Sequence, residues 1–281
     1  MLRKPYLLPL AAIVVTGFVN TAAQAAISYS TGDLLLGFRA TGGTGATTNY
    51  VINLGASATF RDATAPLTLS LGNIGTDLTN IFGANWFSRA DLFWSAISAN
   101  NAATTDPVNT VYTTKAETTV GTPEIAWDRA SNSAQSTIAG KVAGASGQSG
   151  LGGYLNGTAS ANSSVAVTED QNGNNAWASF QLGVNGNTTA YGQYNANGVG
   201  IEGSFGNGTS GAALDVFRLV RNGLNDGTGN TTGVGTYEGT LTINNSGQVG
   251  FNIVPEPSSL LLLTAGAASL GLIRRRQSLN T

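Results

Sequence analysis

The sequence predicts an all-β fold: an antiparallel β-sandwich of jelly-roll type with one or two short helices. Apolar and polar residues alternate along many short segments, and these are joined by stretches rich in glycine, asparagine, serine and threonine. Only 10% of the 281 residues are charged and 38 are glycine, a composition that favours turns and strands over exposed helices. A parallel β-helix is the alternative, but no repeat of fixed period supports it.

The alternating segments give the order of the predicted strands. Tyr50, Ile52 and Leu54 occupy every second position of one segment, which is typical of a half-buried strand. The segment 214–221 is apolar on both faces, so we expect it near the centre of a sheet. The predicted strands cover residues 33–39, 50–54, 67–71, 92–98, 110–115, 164–168, 176–184, 200–205, 214–221, 237–243 and 249–253.

One turn and two helices complete the predicted elements. Asn244 to Gly247 joins the last two strands and supplies the asparagine and glycine that a hairpin turn needs for positive φ. Apolar residues recur at helical spacing in 76–82 and in 130–142, so each segment predicts a helix, the second ending at Gly144.

Composition excludes several classes of function. The chain has no cysteine and no histidine, which rules out disulfides, thiol catalysis, zinc sites of the Cys or His type and catalytic triads with an imidazole base. Residues 26–253 contain eight Lys or Arg and fourteen Asp or Glu, a net charge of −6, so nucleic acid is not an expected partner. At this size one large domain forms without cross-links.

The tail has three parts in a fixed order. The first is a short extended motif, because each proline fixes its own φ and pushes the preceding residue out of the α region. It consists of Val254, Pro255, Glu256 and Pro257. An uncharged apolar run over 258–273 follows, and a basic stop closes the tail with Arg274, Arg275 and Arg276. The order predicts a sorting label.

The apolar run predicts a transmembrane helix that serves as a temporary hold. As a helix, residues 258–273 span about 24 Å, which is shorter than the roughly 30 Å hydrocarbon core of a bilayer. The arginines after it are expected on the cytoplasmic side. The alternative is a buried C-terminal helix of a soluble domain, but the run has no polar face.

The N-terminus predicts a signal peptide. Two cationic residues precede a mostly apolar run over 6–19, and the small residues Ala23 and Ala25 stand where signal peptidase cuts, so the mature chain begins at Ala26. An uncleaved N-terminal anchor is the alternative. The predicted organisation is a signal peptide over 1–25, an exported body over 26–253 and a sorting tail over 254–281.

The tail resembles the PEP-CTERM sorting signal of Gram-negative bacteria. The resemblance rests on Pro255-Glu256-Pro257, the apolar run and the basic stop, and it covers about the last tenth of the chain. It implies recognition by an exosortase, a membrane-embedded cysteine protease that removes the tail near the motif. It also implies that the protein passes to the cell surface or to an exopolysaccharide matrix.

Carboxylates are the remaining candidates for catalysis in the body. Glycoside hydrolysis needs one protonated and one ionised acid about 5–10 Å apart, and the sequence offers Glu124 with Asp128 and Glu169 with Asp170. Solvated turn residues are the favoured interpretation of both pairs. We therefore expect no catalytic site and no cofactor.

Calcium is a second candidate ligand, at the polar segment 170–174. This segment lacks the glycine and the glutamate that an EF-type loop needs at its sixth and twelfth positions. A polar turn is favoured both here and at Asn225–Gly227, so no metal site is predicted.

Trp127 is the best candidate for a glycan platform, because an aromatic ring face stacks on the apolar face of a sugar. It lies in a loop-like stretch with Glu124, Asp128 and Arg129 around it. Burial at the edge of the sandwich is nevertheless the favoured interpretation of Trp127, and Trp94 and Trp177 are expected in the core.

Together these features predict a non-enzymatic exported protein of the cell surface or extracellular matrix, anchored in the inner membrane before processing. The expected partners are signal peptidase, an exosortase, the membrane through the C-terminal helix, and exopolysaccharide. A carbohydrate-binding module is the first alternative and a secreted glycosidase the second.

Overall fold

The computed structural model describes residues 29–69, 71, 74–102, 106–143, 166–170, 177 and 200–253. These residues form ten strands and three short α-helices. The strands are β1 Asp33–Ala40, β2 Thr48–Ala56, β3 Leu67–Leu69, β4 Leu92–Ala99, β5 Val111–Ala116, β6 Ala166–Asp170, β7 Gly203–Ser204, β8 Ala213–Leu219, β9 Thr236–Ile243 and β10 Val249–Asn252. The helices are α1 Ser57–Arg61, α2 Ile74–Phe82 and α3 Asn132–Ala143.

All ten strands belong to one antiparallel sheet. Its order is β3-β10-β9-β8-β5-β4-β1-β2-β6, and β7 pairs with β4 beside this path. The predicted antiparallel β class with few short helices is confirmed. The jelly-roll type is not confirmed, because the hydrogen bonds run through one continuous sheet. β8 lies between β5 and β9, so the central place expected for 214–221 is also confirmed.

The sheet curls around an aromatic core. α1 follows β2 without a gap, and its Phe60 meets Phe251 of β10 edge-on, with 5.2 Å between ring centroids. Through α1, this contact links β2 to β10, and these two strands lie near opposite ends of the sheet order. Within the curl, Phe38 and Trp94 stack at 6.0 Å, and Phe205 stacks on Trp94 at 5.8 Å. Such offset aromatic pairs add to the free energy gained from burial alone.

A second core covers the outer face of the same sheet. Leu35 of β1, Val51 of β2 and Phe217 of β8 pack in one apolar cluster with Ile138 of α3. All eight residues of β1 are buried as a result. The sequence interpretation of a half-buried strand therefore needs correction for β2, because elements far away in the sequence cover the face that alternation assigned to solvent.

β4 and β5 diverge after a short pairing, and β7 fills the gap. β4 pairs with β5 only at its C-terminal end, through Ile97–Ala99. Near its N-terminal end it pairs with β7, at Phe93 and Trp94. The hydroxyl of Thr114 bridges this branch point, because it accepts from the Ala96 amide at 3.1 Å and donates to the Ile201 carbonyl at 3.0 Å. Only two residues of the strand predicted over 200–205 are in β conformation.

The remaining predicted elements divide into those confirmed and those outside the described residues. The helices predicted over 76–82 and 130–142 are confirmed as α2 and α3, and the hairpin at Asn244–Gly247 joins β9 to β10. The strand predicted over 176–184 lies outside the described residues except for residue 177. α1 was not predicted.

Two glycines allow α2 to contact the β9–β10 hairpin through bare backbone. Gly247 has φ +82°, and a Cβ placed on it would lie 2.2 Å from the amide nitrogen of Gly75. A Cβ on Gly75 would lie 2.0 Å from the carbonyl oxygen of Ser246. Both distances are far inside van der Waals contact, so this packing requires glycine on both sides.

Gly247→Ala should lower the free energy of unfolding by more than the strain of a positive φ alone. We expect a loss of about 3 kcal/mol, since backbone strain near 1 kcal/mol is joined by overpacking against α2. Gly121→Ala is the matched control, because Gly121 has φ +76° but a Cβ added to it would meet nothing within 4 Å. Urea unfolding measures both variants, and equal losses would contradict the close approach.

Candidate functional site

A cavity of about 670 Å³ opens where the end of β5, the loop after it and the segment before β8 meet. Three carboxylates line this acidic cavity, those of Glu117, Glu124 and Glu202. A fourth carboxyl group, that of Asp215 on β8, accepts a hydrogen bond from the Glu124 amide at 2.6 Å. Four acids from three separate segments of the sequence therefore meet in one place.

The carboxylate of Glu202 is neutralised by Arg39 of β1. The Arg39 Nε atom lies 2.9 and 3.1 Å from the two oxygens of Glu202, and both side chains are buried. The guanidinium group also lies over the ring of Phe93, 5.1 Å from its centroid. This paired and stacked arrangement is the geometry in which arginine is best accommodated inside a protein.

Asp215 is fully buried on β8. Its second carboxyl oxygen accepts from the Thr240 hydroxyl at 2.8 Å, and the same hydroxyl lies 3.3 Å from Glu117. Since a hydroxyl carries one proton, Thr240 donates to only one of the two acids at a time. Burial raises the pKa of Asp215 to about 6, and Glu117 adds to this, whereas the bonds from Glu124 and Thr240 act in the opposite direction.

The environment of the Glu124 carboxylate lowers its pKa, in contrast to that of Asp215. Its Oε1 atom accepts from the Thr118 amide at 2.8 Å and from the Thr118 hydroxyl at 2.6 Å. These hydrogen bonds hold the pKa of Glu124 below its usual range. Glu117 similarly accepts from the Gly121 amide at 2.8 Å, so the two glutamates fix the turn between them.

A protonated carboxyl close to an ionised one is the division of roles that glycoside hydrolysis uses. In the acidic cavity, however, the acid with the raised pKa is Asp215, which has no exposed surface. A substrate in the cavity would contact Glu117 and Glu124, which are already bonded to their own loop. These bonds account for the shape of the loop after β5.

Of the two acid pairs that the sequence suggested, the first is not brought together in the acidic cavity. Glu124 lines the acidic cavity, but Asp128 is exposed and its backbone pairs with Val234 instead. Glu169 and Asp170 end β6, the strand at the edge of the sheet. Within the part of the chain that the structure describes, no group of three or more acids is arranged to hold a metal ion.

Trp127 is buried, as the favoured interpretation expected, so the possibility that it forms an exposed glycan platform is wrong. Only 6% of its surface is accessible, its Nε1 atom donates to the Thr114 carbonyl at 3.1 Å, and the ammonium group of Lys115 lies 5.0 Å from its ring. The ring packs in the cluster beneath α3, so its face is not available for stacking on a sugar. The other three tryptophans are buried as well.

Arg129, two residues after Trp127, organises the loop between β8 and β9. Its guanidinium group is fully buried and donates to Asp226 at 3.3 Å and to four backbone carbonyls at 2.5–3.1 Å, those of Val220, Arg221, Leu224 and Asn230. Asp226 in turn accepts from the Thr228 amide at 2.8 Å. The polar turn favoured at Asn225–Gly227 is thus part of a loop wrapped around one arginine.

The predicted targeting segments lie outside the described residues. They are the signal peptide with its cleavage site at Ala23, Ala25 and Ala26, the motif Val254 to Pro257, the apolar run over 258–273 and the basic stop Arg274 to Arg276. Among the residues that the structure does describe, none belongs to a helix long and apolar enough to cross a membrane.

Comparison with known proteins identifies the tail. Residues 254–277 match the family model of the PEP-CTERM protein-sorting motif, which confirms the resemblance found in the sequence. The motif implies processing by an exosortase, and export with sorting to the cell envelope or surface. No curated protein and no solved structure matches the chain.

The raised pKa of Asp215 predicts a pH-dependent stability. Between its ordinary value of 3.8 and its value of about 6, the folded state keeps a proton that the unfolded state releases. This group's contribution to the free energy of unfolding therefore falls as pH rises from about 4 to about 6, by at most about 1.4 kcal/mol per pH unit.

Asp215→Asn should remove this part of the slope in urea unfolding measured at a series of pH values. Asp128→Asn is the control, because Asp128 is exposed, and it should keep the slope of the unchanged protein. A slope that survives in Asp215→Asn would contradict the assignment.

Proposed function

Since the chain is a PEP-CTERM sorting-domain protein, we propose that its β body is a non-catalytic component of the cell surface or extracellular matrix. The body would act structurally or adhesively in exopolysaccharide or biofilm. The observation that carries the proposal is the match at residues 254–277 directly after a β body that ends at Asn252. A Gram-negative host is part of the same proposal.

The route follows from the order of the segments. Signal peptidase removes residues 1–25, and export of the body then stops at the apolar run over 258–273, with the three arginines on the cytoplasmic side. The exosortase cuts near Pro255-Glu256-Pro257, which separates the body from its anchor. The run is short for a lasting transmembrane helix, which supports a temporary role before cleavage.

A non-catalytic role for the body is supported by how its acids are bonded. Glu202 is paired with Arg39, Glu117 and Glu124 hold the loop after β5, and Asp215 is enclosed behind them. The chain also lacks histidine and cysteine, the usual bases and nucleophiles of hydrolases. A secreted glycosidase is therefore the less supported alternative.

Replacing Pro255, Glu256 and Pro257 by alanine should leave the tail attached to the body. The change removes the rigid extended motif but keeps the apolar run and the basic stop. The measurement is intact-protein mass spectrometry and membrane fractionation in the native host. Alanines at Ser278, Leu279 and Asn280, just beyond the matched residues, form the control and should be processed normally. Normal cleavage of the motif variant would refute the sorting proposal.

The role of the body has its own test in the same host. The processed protein should be recovered with the exopolysaccharide matrix, and the purified protein should release no reducing sugar from that polymer. Release of sugar would support the glycosidase alternative. Recovery of the processed protein only in the culture medium would contradict a role in the matrix.

A further inference from the structure

A second and smaller cavity, of about 200 Å³, opens where β1 and β5 begin and β2 and β4 end. We call it the strand-end cavity. It shares no lining residue with the acidic cavity, and most of its accessible lining is apolar. The turn from Ser30 to Asp33 forms part of the lining, directly after Tyr29, where the described chain begins. The N-terminal segment of the body therefore enters the fold beside this cavity.

Asp33 brings a carboxylate into the lining, and only 9% of this residue is exposed. Its Oδ2 atom accepts from the Ser30 amide and from the side-chain amide of Asn53, each at 2.8 Å, and both donors are neutral. In the part of the chain that the structure describes, its Oδ1 atom accepts no hydrogen bond, and it keeps some accessible surface. A largely buried carboxylate with only neutral partners is costly, so a cation at Oδ1 would be stabilising.

The charge of Asp33 also acts on Tyr29. The Tyr29 side chain is buried in the cluster beneath α3. Burial raises the pKa of its hydroxyl, and the Asp33 carboxylate raises it further, whereas the backbone of Gly32 acts in the opposite direction. The first described residue of the chain is therefore within electrostatic range of this carboxylate.

Among the described residues, no side chain supplies the cation. All eight Lys and Arg of residues 26–253 belong to the described part of the chain, and none of them forms an ion pair with Asp33. Five pair with other acids: Arg39, Arg61, Arg89, Arg129 and Arg218. The segments of the body outside the described residues contain no Lys or Arg. The body's other source of positive charge is its own N-terminus.

Resting on the processing route proposed above, we propose that the ammonium group released at Ala26 by signal peptidase enters the strand-end cavity and pairs with Asp33. In the precursor the nitrogen of Ala26 is an uncharged peptide amide, so the pair forms only after cleavage. The small side chain of Ala26 suits the apolar lining, and Ser57 adds a hydroxyl that can accept from the ammonium group.

The chain is long enough for this contact. The Ser30 amide already lies 2.8 Å from Asp33, and Ala26 is only four residues earlier. Residues 26–28 span at most about 11 Å beyond Tyr29. A β-turn reverses the chain within four residues, so residues 26–29 can return the N-terminus to the Oδ1 atom of Asp33. Cleavage of the signal peptide would then add a stabilising contact to the body after export.

The test uses the processed protein recovered from the native host. Limited acetylation with acetic anhydride at pH 7 is followed by mass spectrometry of the tryptic peptide 26–39, with Lys141 as the internal reference. Only the neutral amine reacts, and a pKa higher by about one lowers the neutral fraction about tenfold. Ala26 should therefore react about tenfold more slowly in the unchanged protein than in Asp33→Asn.

Asp33→Asn keeps an oxygen that can accept from Ser30 and Asn53, so the turn should persist. Asp128→Asn is the matched control, because it removes the same charge from an exposed position. In this control Ala26 should react as slowly as in the unchanged protein. Equal rates in the unchanged protein and Asp33→Asn would overturn the proposal, and so would a processed chain that begins at a residue other than Ala26.

Urea unfolding at a series of pH values is the second measurement. An amine whose pKa is raised by pairing contributes stability that is present below its ordinary range of about 7.7–8.0 and lost as pH rises through the raised value. The loss of stability in Asp33→Asn should therefore be present at pH 6–7 and shrink above about pH 8. A loss that stays constant up to pH 10 would contradict the ion pair.

Failure of this inference is distinguishable from failure of the proposed function. A processed protein that begins at Ala26 and stays in the matrix, but whose N-terminal amine does not respond to Asp33→Asn, disproves the ion pair alone. A protein that keeps residues 1–25 disproves the export route as well, and one that is processed but lost to the medium disproves the matrix role, whatever the N-terminus contacts.

Discussion

Burial of β1 on both faces is the constraint on which the other elements depend. β1 lies between β4 and β2, and its side chains alternate between the aromatic core inside the curl and the cluster beneath α3. At Gly37 the ring of Trp177 packs on bare backbone, since a Cβ there would lie 2.1 Å from the ring. At Arg39 the same burial brings a charge inside, and the segment before β7 has to supply Glu202 to pair with it.

Several of the few charged side chains of the body are accordingly buried, and they link segments that are far apart in the sequence. Arg39 and Glu202 are 163 residues apart in the sequence, and Arg129 joins the stretch after β5 to the loop after β8. Replacing a buried pair by apolar residues is often neutral, but removing one partner typically costs about 3–5 kcal/mol. These charges therefore specify which segments meet more than they add to the overall free energy of folding.

The local pattern of apolar and polar residues was enough to predict most strands, because this pattern is present in the sequence whichever elements pack on the sheet. It identified β1, β2, β4, β5 and β8 to β10, and helical spacing identified α2 and α3. It did not predict that Asn49 and Asn53 are buried, because the cover comes from distant elements. α1 was missed because five residues are too few for a periodic signal.

The polar sites were harder to predict than the strands. Glu117, Glu202 and Asp215 come from three separate segments, and only the register in which Lys115 pairs with Asp215 places the last beside the loop of Glu124. A cavity of about 200 Å³ likewise forms where β1 and β5 begin and β2 and β4 end. Trp127 was a candidate for exposure because its neighbours in sequence are polar, but its packing partners belong to α3 and the sheet.

The position of β10 has a mechanical consequence for the tail. β10 ends at Asn252, the matched motif begins at residue 254, and an extended chain covers at most about 3.6 Å per residue. The motif therefore starts within about 7 Å of a strand that is hydrogen-bonded on both sides, to β9 and β3. Any force on the tail is transmitted directly to two ladders of backbone hydrogen bonds. A protease that binds the start of the motif would have to approach the surface of the folded body closely.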